Sequence, residues 1–560
     1  MNIKKSIAEN ITLEVDDVNF ESLISEVQDK VNGDYCLPCF TLAKALKKAP
    51  IQIANEIKES YKQNELIEKI EVVNGYVNFY LNQANYIKQV LFEVDKNTPF
   101  LPLDEYKNKV VCLDYSSVNL AKYMHIGHLS TTVIGESLAR IYESLGYKPV
   151  RINYIGDYGT PFGKMIYAYL TWGENASIEE KGIDFTQDLY VKFCKCAEDD
   201  KDLEEKAREY FKKVEEKDPE VYPIYERIIN ASKKETKDIL NTLGVKFDSW
   251  KGENSYSGEL DNVLELIKSH NLLKESNGAK VVDLEEYGLG ACLVQKSDGT
   301  SLYATRDIAA AIDRYEQYKF DKMLYVTAVQ QKLHFQQFFK VLELMNYPFS
   351  KNLTHVYYGM FSLPTGKIAS RKGKQAVLKD LMQDAYNKAY KMVENRDFND
   401  NKKQEIANKI SLSALRFNAI KTERIKDTVF DLENAFSFEG DTSAYLQYTY
   451  TRLCSILRKA EFKNAKPNFE YLNNNTVFDI VLTLNNYQET IIKAMQQNEP
   501  SVICKYTIDL CKLINKFYNA EKVVTDNEEE TQSKLWLISN LQKTLNKLFN
   551  LICIDPVEEM

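Results

Sequence analysis

The sequence predicts an α/β protein built on a parallel, Rossmann-type sheet, with one domain before the sheet domain and an all-α domain after it. Residues 106–165 read as strand, glycine turn, helix and strand, which is the start of a βαβ unit. The alternation resumes at residues 307–345, after an acidic, lysine-rich helical stretch that we interpret as an insertion. Nearly all of residues 376–560 show helical periodicity.

A chain of 560 residues exceeds what one hydrophobic core can fill, so we expect about three domains. We place them at residues 1–105, 106–375 and 376–560, with the insertion at about 166–300. The first domain has an α/β pattern with helical periodicity at 15–30, 40–48 and 51–62. Asn74-Gly75 then separates two alternating runs, 67–73 and 76–81, and this is a strong hairpin signal.

Composition indicates a soluble, reduced protein. Hydrophobic residues make up 44% and charged residues 27%, and no apolar stretch approaches the roughly 20 residues of a membrane span. The N-terminus lacks an apolar signal core, so we expect a cytoplasmic location and no membrane contact. A net charge of −9 argues against a globally basic nucleic-acid coat but leaves room for local basic patches.

Two pairs among the 10 cysteines have close spacing: Cys36 with Cys39, and Cys194 with Cys196. A zinc site needs further ligands, and no such pattern follows either pair. Packing of reduced thiols is therefore favoured over metal binding or redox chemistry, and we predict no protein-held metal.

The segment His125-Ile126-Gly127-His128 carries the strongest chemical signal. It contains two of the 5 histidines and lies between a buried strand pattern at 110–115 and a helical pattern at 129–145. A strand, a glycine turn and a helix start present backbone N–H groups to phosphate. The two imidazoles can add hydrogen bonds as charge builds on a polyphosphate. The alternative is a helix start with incidental histidines.

A second candidate phosphate loop spans residues 366–374, which contain two glycines, four cations and a serine. Such a loop can clamp a polyphosphate, although by itself it is equally typical of a solvated surface loop.

The segment 125–128 and the later loop 366–374 resemble, in this order along the chain, the "HIGH" and "KMSKS" motifs of class I aminoacyl-tRNA synthetases. Several flanking segments are similar to arginyl-tRNA synthetases in particular. They are residues 114–128, 153–160, 303–307, 330–334, 437–448 and 556–560. The resemblance extends from about Gly33 to the last residue and is weakest in the insertion.

The resemblance implies ligation of L-arginine to tRNA(Arg) in two steps, with ATP and its accompanying Mg²⁺. The arginine carboxylate attacks the α-phosphate of ATP, and a tRNA ribose hydroxyl then attacks the arginyl-adenylate. The resemblance also implies that formation of the arginyl-adenylate requires bound tRNA. We expect the protein to be a monomer. The alternatives are a small-metabolite nucleotidyltransferase that uses a His-x-Gly-His turn and a non-catalytic paralogue that only binds tRNA.

A guanidinium is a planar fork of donors that carboxylates and a hydroxyl hold well. The resemblance assigns this role to Asp114, Tyr303 and Asp307, and the substrate α-amino group to Asn119 and Gln331. The structural alternatives for Asp307 are an N-cap or a surface ion pair with Arg306 or Arg314. For the others they are core packing for Tyr303, a turn for Asn119 and a solvent-facing helix position for Gln331.

For ATP, the resemblance assigns His125 and His128 to the phosphates and adenosine. It also implies that Gly127, Gly156 and Gly159 let the nucleotide approach the backbone, and that His334 lies near the adenosine unless it is a capping or core residue. The second loop has Ser370 where the general motif has its catalytic lysine. The resemblance makes Lys367 and Arg371 catalytic candidates within the loop, and the candidates to replace the missing lysine are Lys122 and Lys372.

Candidate tRNA contacts lie in both flanking domains. In the C-terminal domain, Tyr445, Tyr448 and Arg452 combine aromatic rings with a cation, as suits stacking on unpaired anticodon bases. In the N-terminal domain the resemblance implies contact with the tRNA elbow, with the candidates Asn78, Phe79 and Tyr80. Core packing is the alternative for each group.

Overall fold

The computed structural model describes residues 2–27, 29–174, 176–297, 303–364 and 377–560. Its internal contacts divide the chain into two compact units. The first unit contains residues 1–101, 452–489 and 509–544. The second unit contains residues 102–451, 490–508 and 545–560.

The first unit contains a four-stranded antiparallel sheet with strand order β1-β2-β4-β3. The strands are β1 (Ser25–Glu26), β2 (Tyr35–Pro38), β3 (Ile67–Val73) and β4 (Tyr76–Leu81). The helices in this part of the chain are α1 (Ile3–Glu9), α2 (Phe20–Leu23), α3 (Ala43–Leu46), α4 (Pro50–Ser60) and α5 (Gln83–Asp95). The hairpin predicted around Asn74-Gly75 is present, and both turn residues have positive φ, as a tight hairpin turn requires.

Two helices predicted near the N-terminus are wrong in extent. The stretch 15–30 contains only the four-residue α2, because Ser25 and Glu26 pair with β2 instead of continuing the helix. The α-helix in the stretch 40–48 is only α3, which ends at Leu46 and is followed by Lys47 in the left-handed region at φ 51°. Sheet pairing and a chain reversal thus override the local helical pattern.

The second unit opens with the predicted strand, turn, helix and strand. They are β5 (Val110–Asp114), α6 (Ile126–Leu145) and β6 (Lys148–Ile152). The helix ends at Gly146, whose φ of 115° suits a glycine cap.

The insertion contains both helices and a sheet. Its helices are α7 (Thr160–Trp172), α8 (Ile178–Asp199), α9 (Asp202–Glu215), α10 (Tyr222–Thr242) and α11 (Leu260–Ser269). Three antiparallel strands follow: β7 (Leu273–Ser276), β8 (Ala279–Asp283) and β9 (Ala291–Gln295). The prediction of a helical insertion missed this sheet, although Asn277-Gly278 between β7 and β8 is the same hairpin signal.

After the insertion the α/β alternation resumes with α12 (Tyr303–Tyr318), β10 (Lys322–Tyr325), α13 (Lys332–Leu344) and β11 (Leu353–His355). The parallel sheet has the order β11-β10-β5-β6. The chain runs outward in both directions from the neighbouring strands β5 and β10. This is a topological switch point, and ligands bind at the carboxyl ends of the strands there.

The rest of the described chain is mainly helical. A short parallel pair, β12 (Phe361–Ser362) and β13 (Thr428–Val429), accompanies α14 (Leu378–Val393) and α15 (Asp400–Ile420). The final helices are α16 (Ser443–Lys459), α17 (Asn475–Asn485), α18 (Tyr487–Gln497), α19 (Ser501–Ala520) and α20 (Glu528–Leu551). None of the described helices is long and apolar enough to cross a membrane.

Candidate active site

The two histidines cap the helix that follows β5. His125 is the N-cap of α6, and its Nδ1 accepts a hydrogen bond from the backbone N–H of Gly127 at 3.1 Å. The backbone N–H of His125 in turn donates to Nδ1 of His128 at 3.0 Å. Because both Nδ1 atoms accept, both neutral rings carry their proton on Nε2. The turn therefore holds two Nε2–H donors close together, with ring centroids 4.0 Å apart.

The environment keeps both rings neutral near pH 7. Burial lowers the pKa of His128 to about 3, with smaller contributions from His125 and Lys122. Burial also lowers the pKa of His125, again assisted by Lys122. The exposed Lys122 thus lies near enough to act on both imidazoles, so the turn combines two neutral donors with one fixed positive charge.

A pH dependence of stability follows from His128. The unfolded chain binds a proton at this ring below pH 6.5, whereas the folded ring resists protonation until about pH 3. Because the unfolded state binds more protons in this window, the free energy of unfolding falls as the pH is lowered through it. Urea titrations at about pH 7 and about pH 5 should show a smaller loss for His128→Asn than for the unchanged protein. Equal losses would contradict a neutral, buried His128.

Two glycines are required by close contacts in this region. A Cβ on Gly127 would lie 2.9 Å from Cε1 of His125, so a side chain there would displace the capping ring. A Cβ on Gly156 would lie 3.2 Å from Cα of Asn119, with which Gly156 forms a short parallel bridge. Gly159 has φ 116° just before α7, and a side chain there would strain the backbone.

The second predicted phosphate loop, with Lys367, Arg371 and Lys372, lies outside the described residues. The chain that follows it returns to the histidine turn. Val377 pairs with His125, and the backbone N–H of Leu378 donates to the carbonyl of Met124 at 2.8 Å.

Asp114 lies at the carboxyl end of β5, and its carboxylate is engaged within the protein. Its Oδ2 is 2.9 Å from Arg314, and its Oδ1 accepts a hydrogen bond from Ser117 at 3.0 Å. Burial raises the pKa of Asp114, and Arg314 opposes that rise. A buried charge that has lost its partner is costly, so Asp114 and Arg314 hold each other in place, and the expected contact of Asp114 with a substrate guanidinium stays a prediction.

Asp307 is placed differently from Asp114. It pairs with His334, at 2.6 Å between Oδ2 and Nε2, and not with Arg306 or Arg314 as the ion-pair alternative proposed. About a fifth of its side chain is exposed (19%). Nε2 of His334 is therefore already bonded to the carboxylate of Asp307, and the expected contact of His334 with adenosine stays a prediction.

The other predicted arginine-binding residues surround the same carboxyl edge of the sheet. The Tyr303 ring is 64% exposed, which excludes the core-packing alternative. Gln331 is also exposed, just before α13. Asn119 is half-buried, and its side-chain oxygen accepts a hydrogen bond from the backbone N–H of Ala121 at 3.0 Å.

The sequence analysis assigned no role in the site to a group of largely buried polar residues beside Asp307. They are Tyr154, Glu253, Arg306 and, as a partner of Asp114, Arg314. The hydroxyl of Tyr154 and Nη2 of Arg314 are buried with no hydrogen-bond partner among the described residues. Spacing on α12 could have identified Arg314, because it lies two turns after Asp307 on the same face.

Comparisons with known proteins agree with this geometry. The family model described as tRNA synthetases class I (R), catalytic domain, matches residues 87–432. Models of an arginyl tRNA synthetase N terminal domain and a DALR anticodon binding domain match residues 1–81 and 446–560. The chain belongs to the arginyl-tRNA synthetase family. The predicted family and fold class are therefore confirmed.

Individual relatives of the synthetase match over its full length. The arginine–tRNA ligases of Clostridium perfringens and Clostridioides difficile are 42% and 39% identical, with 100% of each chain covered. The solved arginyl-tRNA synthetase of Thermus thermophilus has a TM-score of 0.80 at 25% identity, covering 100% of this chain and 99% of that one. The fold is also similar to the Plasmodium falciparum arginyl-tRNA synthetase, with a TM-score of 0.78 at 22% identity over 100% and 99% of the two chains.

The N-terminal tRNA candidates of the synthetase lie mostly in the sheet interior. Phe79 is fully buried and Asn78 nearly so, which agrees with the core-packing alternative and not with direct contact to RNA. Tyr80 is half-buried, and its hydroxyl donates to Glu71 at 2.8 Å. Consecutive residues of β4 are buried, so both faces of the strand are covered. The alternation of apolar and polar residues in the sequence therefore did not show which side chains reach solvent.

The C-terminal candidates are more accessible. Tyr448 is exposed, and its ring meets that of Phe438 at 5.6 Å. Tyr445 is half-buried one turn earlier on α16. In the other compact unit, Arg452 donates to Asn515 at 3.0 Å and stacks on Tyr518, with 4.5 Å from Cζ to the ring centroid.

Proposed function

We propose that this chain catalyses the ATP-dependent ligation of L-arginine to tRNA(Arg) through an arginyl-adenylate. The observation that carries the proposal is the pairing of two features at the carboxyl edge of the parallel sheet. One is the histidine turn with its two Nε2–H donors, and the other is the partly exposed carboxylate of Asp307. Attack on the α-phosphate of ATP is assisted by neutral and positive hydrogen-bond donors that stabilise the developing negative charge. Binding of the arginine guanidinium requires a carboxylate.

In the proposed complex, Asp307 and Tyr303 hold the guanidinium, and Asn119 and Gln331 hold the α-amino group. Asp114 contributes indirectly, because its ion pair holds the buried Arg314 in place beside the site. This arrangement holds the substrate carboxylate in line with the α-phosphate, and positioning of this kind is the main requirement of the first step.

The histidine turn binds ATP in the same proposal. His125 and His128 donate to the phosphates, Gly127, Gly156 and Gly159 allow close approach of the nucleotide, and His334 lies beside the adenosine. Lys122, Lys367, Arg371 and Lys372 are the cations that neutralise the pyrophosphate as it leaves.

The site is compatible with Mg²⁺ that enters bound to ATP. Among the described segments, no three side chains of His, Cys, Asp or Glu cluster as a set of metal ligands. Mg²⁺ usually keeps several waters and binds substrate phosphates with few protein ligands. We therefore propose that ATP oxygens hold it, where it would offset negative charge on the phosphates.

The domain roles follow from the family. We propose that residues 1–105 contact the tRNA elbow, with Tyr80 as the accessible candidate, and that residues 106–375 form the catalytic domain. Residues 376–560 read the anticodon with Tyr445, Tyr448 and Arg452. We further propose a cytoplasmic monomer.

The dependence of activation on tRNA tests this proposal. We expect ATP–pyrophosphate exchange only when arginine and an accepting tRNA are both present, because the second loop lacks the usual motif lysine at Ser370. Exchange assays with labelled pyrophosphate, run with and without tRNA, measure this directly. Exchange driven equally well by glutamine or cysteine would overturn the arginine assignment.

A further inference from the structure

The loop between β5 and α6 is held by two separate parts of the chain. Its first half is bonded to the segment after β6: the backbone N–H of Leu120 donates to the carbonyl of Gly156 at 3.0 Å, and that of Gly156 donates to the carbonyl of Val118 at 2.9 Å. Its second half is bonded to helix α8 of the insertion. The backbone at Asn119 is therefore placed by the end of β6, whereas the residues on either side of Lys122 are placed by α8.

Two polar side chains of α8 make these bonds, one on each side of Lys122. Nε2 of Gln187 donates to the carbonyl of Ala121 at 2.6 Å, and Oδ1 of Asp184 accepts a hydrogen bond from the hydroxyl of Tyr123 at 2.7 Å. Asp184 and Gln187 lie one turn apart, on the same face of α8. Gln187 is only 5% exposed and Ala121 is fully buried, so breaking their bond would leave a buried polar group without its partner.

Apolar packing holds the same stretch against the insertion. Leu120 and Ala121 belong to a buried cluster that also contains Phe162 of α7, Ile178 of α8 and Ile228 of α10. The loop thus shares a core with three insertion helices, and a shift of α8 would move its backbone.

Lys122 is the charged residue that this support carries. Its side chain is exposed, in contrast to the buried Ala121 before it. Burial first, and the charge of Lys122 second, lower the pKa of His125, so the ammonium lies within electrostatic range of the histidine turn. A lysine side chain is a flexible stem, so the backbone that bears it decides which positions its charge can reach.

We propose that Gln187 and Asp184 are positioning residues for adenylate formation: they hold the backbone on both sides of Lys122, so that its ammonium meets the phosphates at the histidine turn. The inference rests on the proposed function, because it takes Lys122 as a cation that neutralises the leaving pyrophosphate. Helix α8 of the insertion thereby takes part in the first step through Lys122, without itself touching a substrate.

The first test removes each bond with little change of shape. Gln187→Met keeps most of the side-chain volume without the N–H donor, and Tyr123→Phe removes only the hydroxyl that Asp184 accepts from. In ATP–pyrophosphate exchange with tRNA present, we expect each variant to lower kcat about tenfold and to leave the KM for arginine within about twofold. The KM should hold because the backbone at Asn119 is bonded to Gly156 and not to α8.

The matched control is Glu179→Gln, which breaks a bidentate ion pair with Arg227 in the first turn of the same helix. It should leave kcat and the KM for arginine unchanged. Thermal unfolding of all three variants shows whether the fold is retained. A similar loss of kcat in Glu179→Gln would indicate a general disturbance of α8 and would overturn the proposal.

The second test is a double-mutant cycle with Lys122→Met, which keeps the stem of the side chain and removes the charge. Lys122→Met alone should lower kcat for exchange about 10²-fold. If Gln187 acts through Lys122, Gln187→Met should change kcat by less than about twofold in that background. Equal effects of Gln187→Met in both backgrounds, or a normal kcat for Lys122→Met, would overturn the proposal. Arginylation that still depends on Asp307 would then leave the proposed function standing, whereas no arginylation by the unchanged protein would refute the function itself.

Discussion

Replacing His125 with asparagine is expected to lower kcat for arginylation by about 10²-fold or more while leaving the fold intact. Asparagine is a strong N-cap residue, and its side-chain oxygen can accept the Gly127 N–H bond that Nδ1 of His125 accepts now. The variant therefore keeps the helix cap and loses the Nε2–H donor. Steady-state arginylation, thermal unfolding and tRNA binding measure the three properties separately.

His125→Ala is the matched comparison. It removes both the donor and the cap, so it should add a loss of about 1 kcal/mol in unfolding free energy to the same loss of activity. If His125→Asn charges tRNA at nearly the normal rate, the ring acts only as a cap and the proposed phosphate contact is wrong. Near-normal tRNA binding by both variants would show that the loss lies in the chemistry.

Replacing Asp307 with asparagine is expected to lower kcat/KM for arginine by about 10²-fold or more. Asparagine preserves the shape of the side chain and removes the negative charge that a substrate guanidinium needs. The loss should appear mainly in the KM for arginine, because the proposed phosphate contacts of ATP lie on the histidine turn. Initial rates over a range of arginine concentrations, at saturating ATP and tRNA, give the two constants.

Asp313→Asn provides the control for this substitution. Asp313 lies on the same helix and is bonded to Lys251 at 2.7 Å and to the hydroxyl of Tyr256 at 2.8 Å. Replacing Asp313 removes a different carboxylate from α12 and leaves Asp307 unchanged, so it shows how much activity is lost through a general effect on the helix. A similar loss of kcat/KM in both variants would indicate a general disturbance of the helix and would count against Asp307 as the guanidinium ligand.

The sequence predicts the parallel sheet and the histidine turn because both are local signals. β5 is an apolar run between polar turns, and α6 has helical periodicity that ends at Gly146, so each element is identified without knowledge of its neighbours. The position of His125 at the helix start follows from the same reading. The hydrogen bond from the His125 backbone to the His128 ring also connects residues only three positions apart.

The partners of the carboxylates were not predictable in this way. Asp114 pairs with Arg314, 200 residues later, and Asp307 pairs with His334 on a different helix. Such pairs depend on which strands become neighbours in the sheet, and one sequence does not encode that order in any local pattern. Likewise, the burial of Phe79 depends on what covers each face of β4.

The most direct test of the central claim is charging of unfractionated tRNA by the purified protein with each labelled amino acid in turn. We predict that arginine alone is esterified to tRNA, that the reaction consumes ATP, and that His125→Asn and Asp307→Asn each suppress it. Esterification of a different amino acid, or charging with arginine that survives both substitutions, would contradict the account.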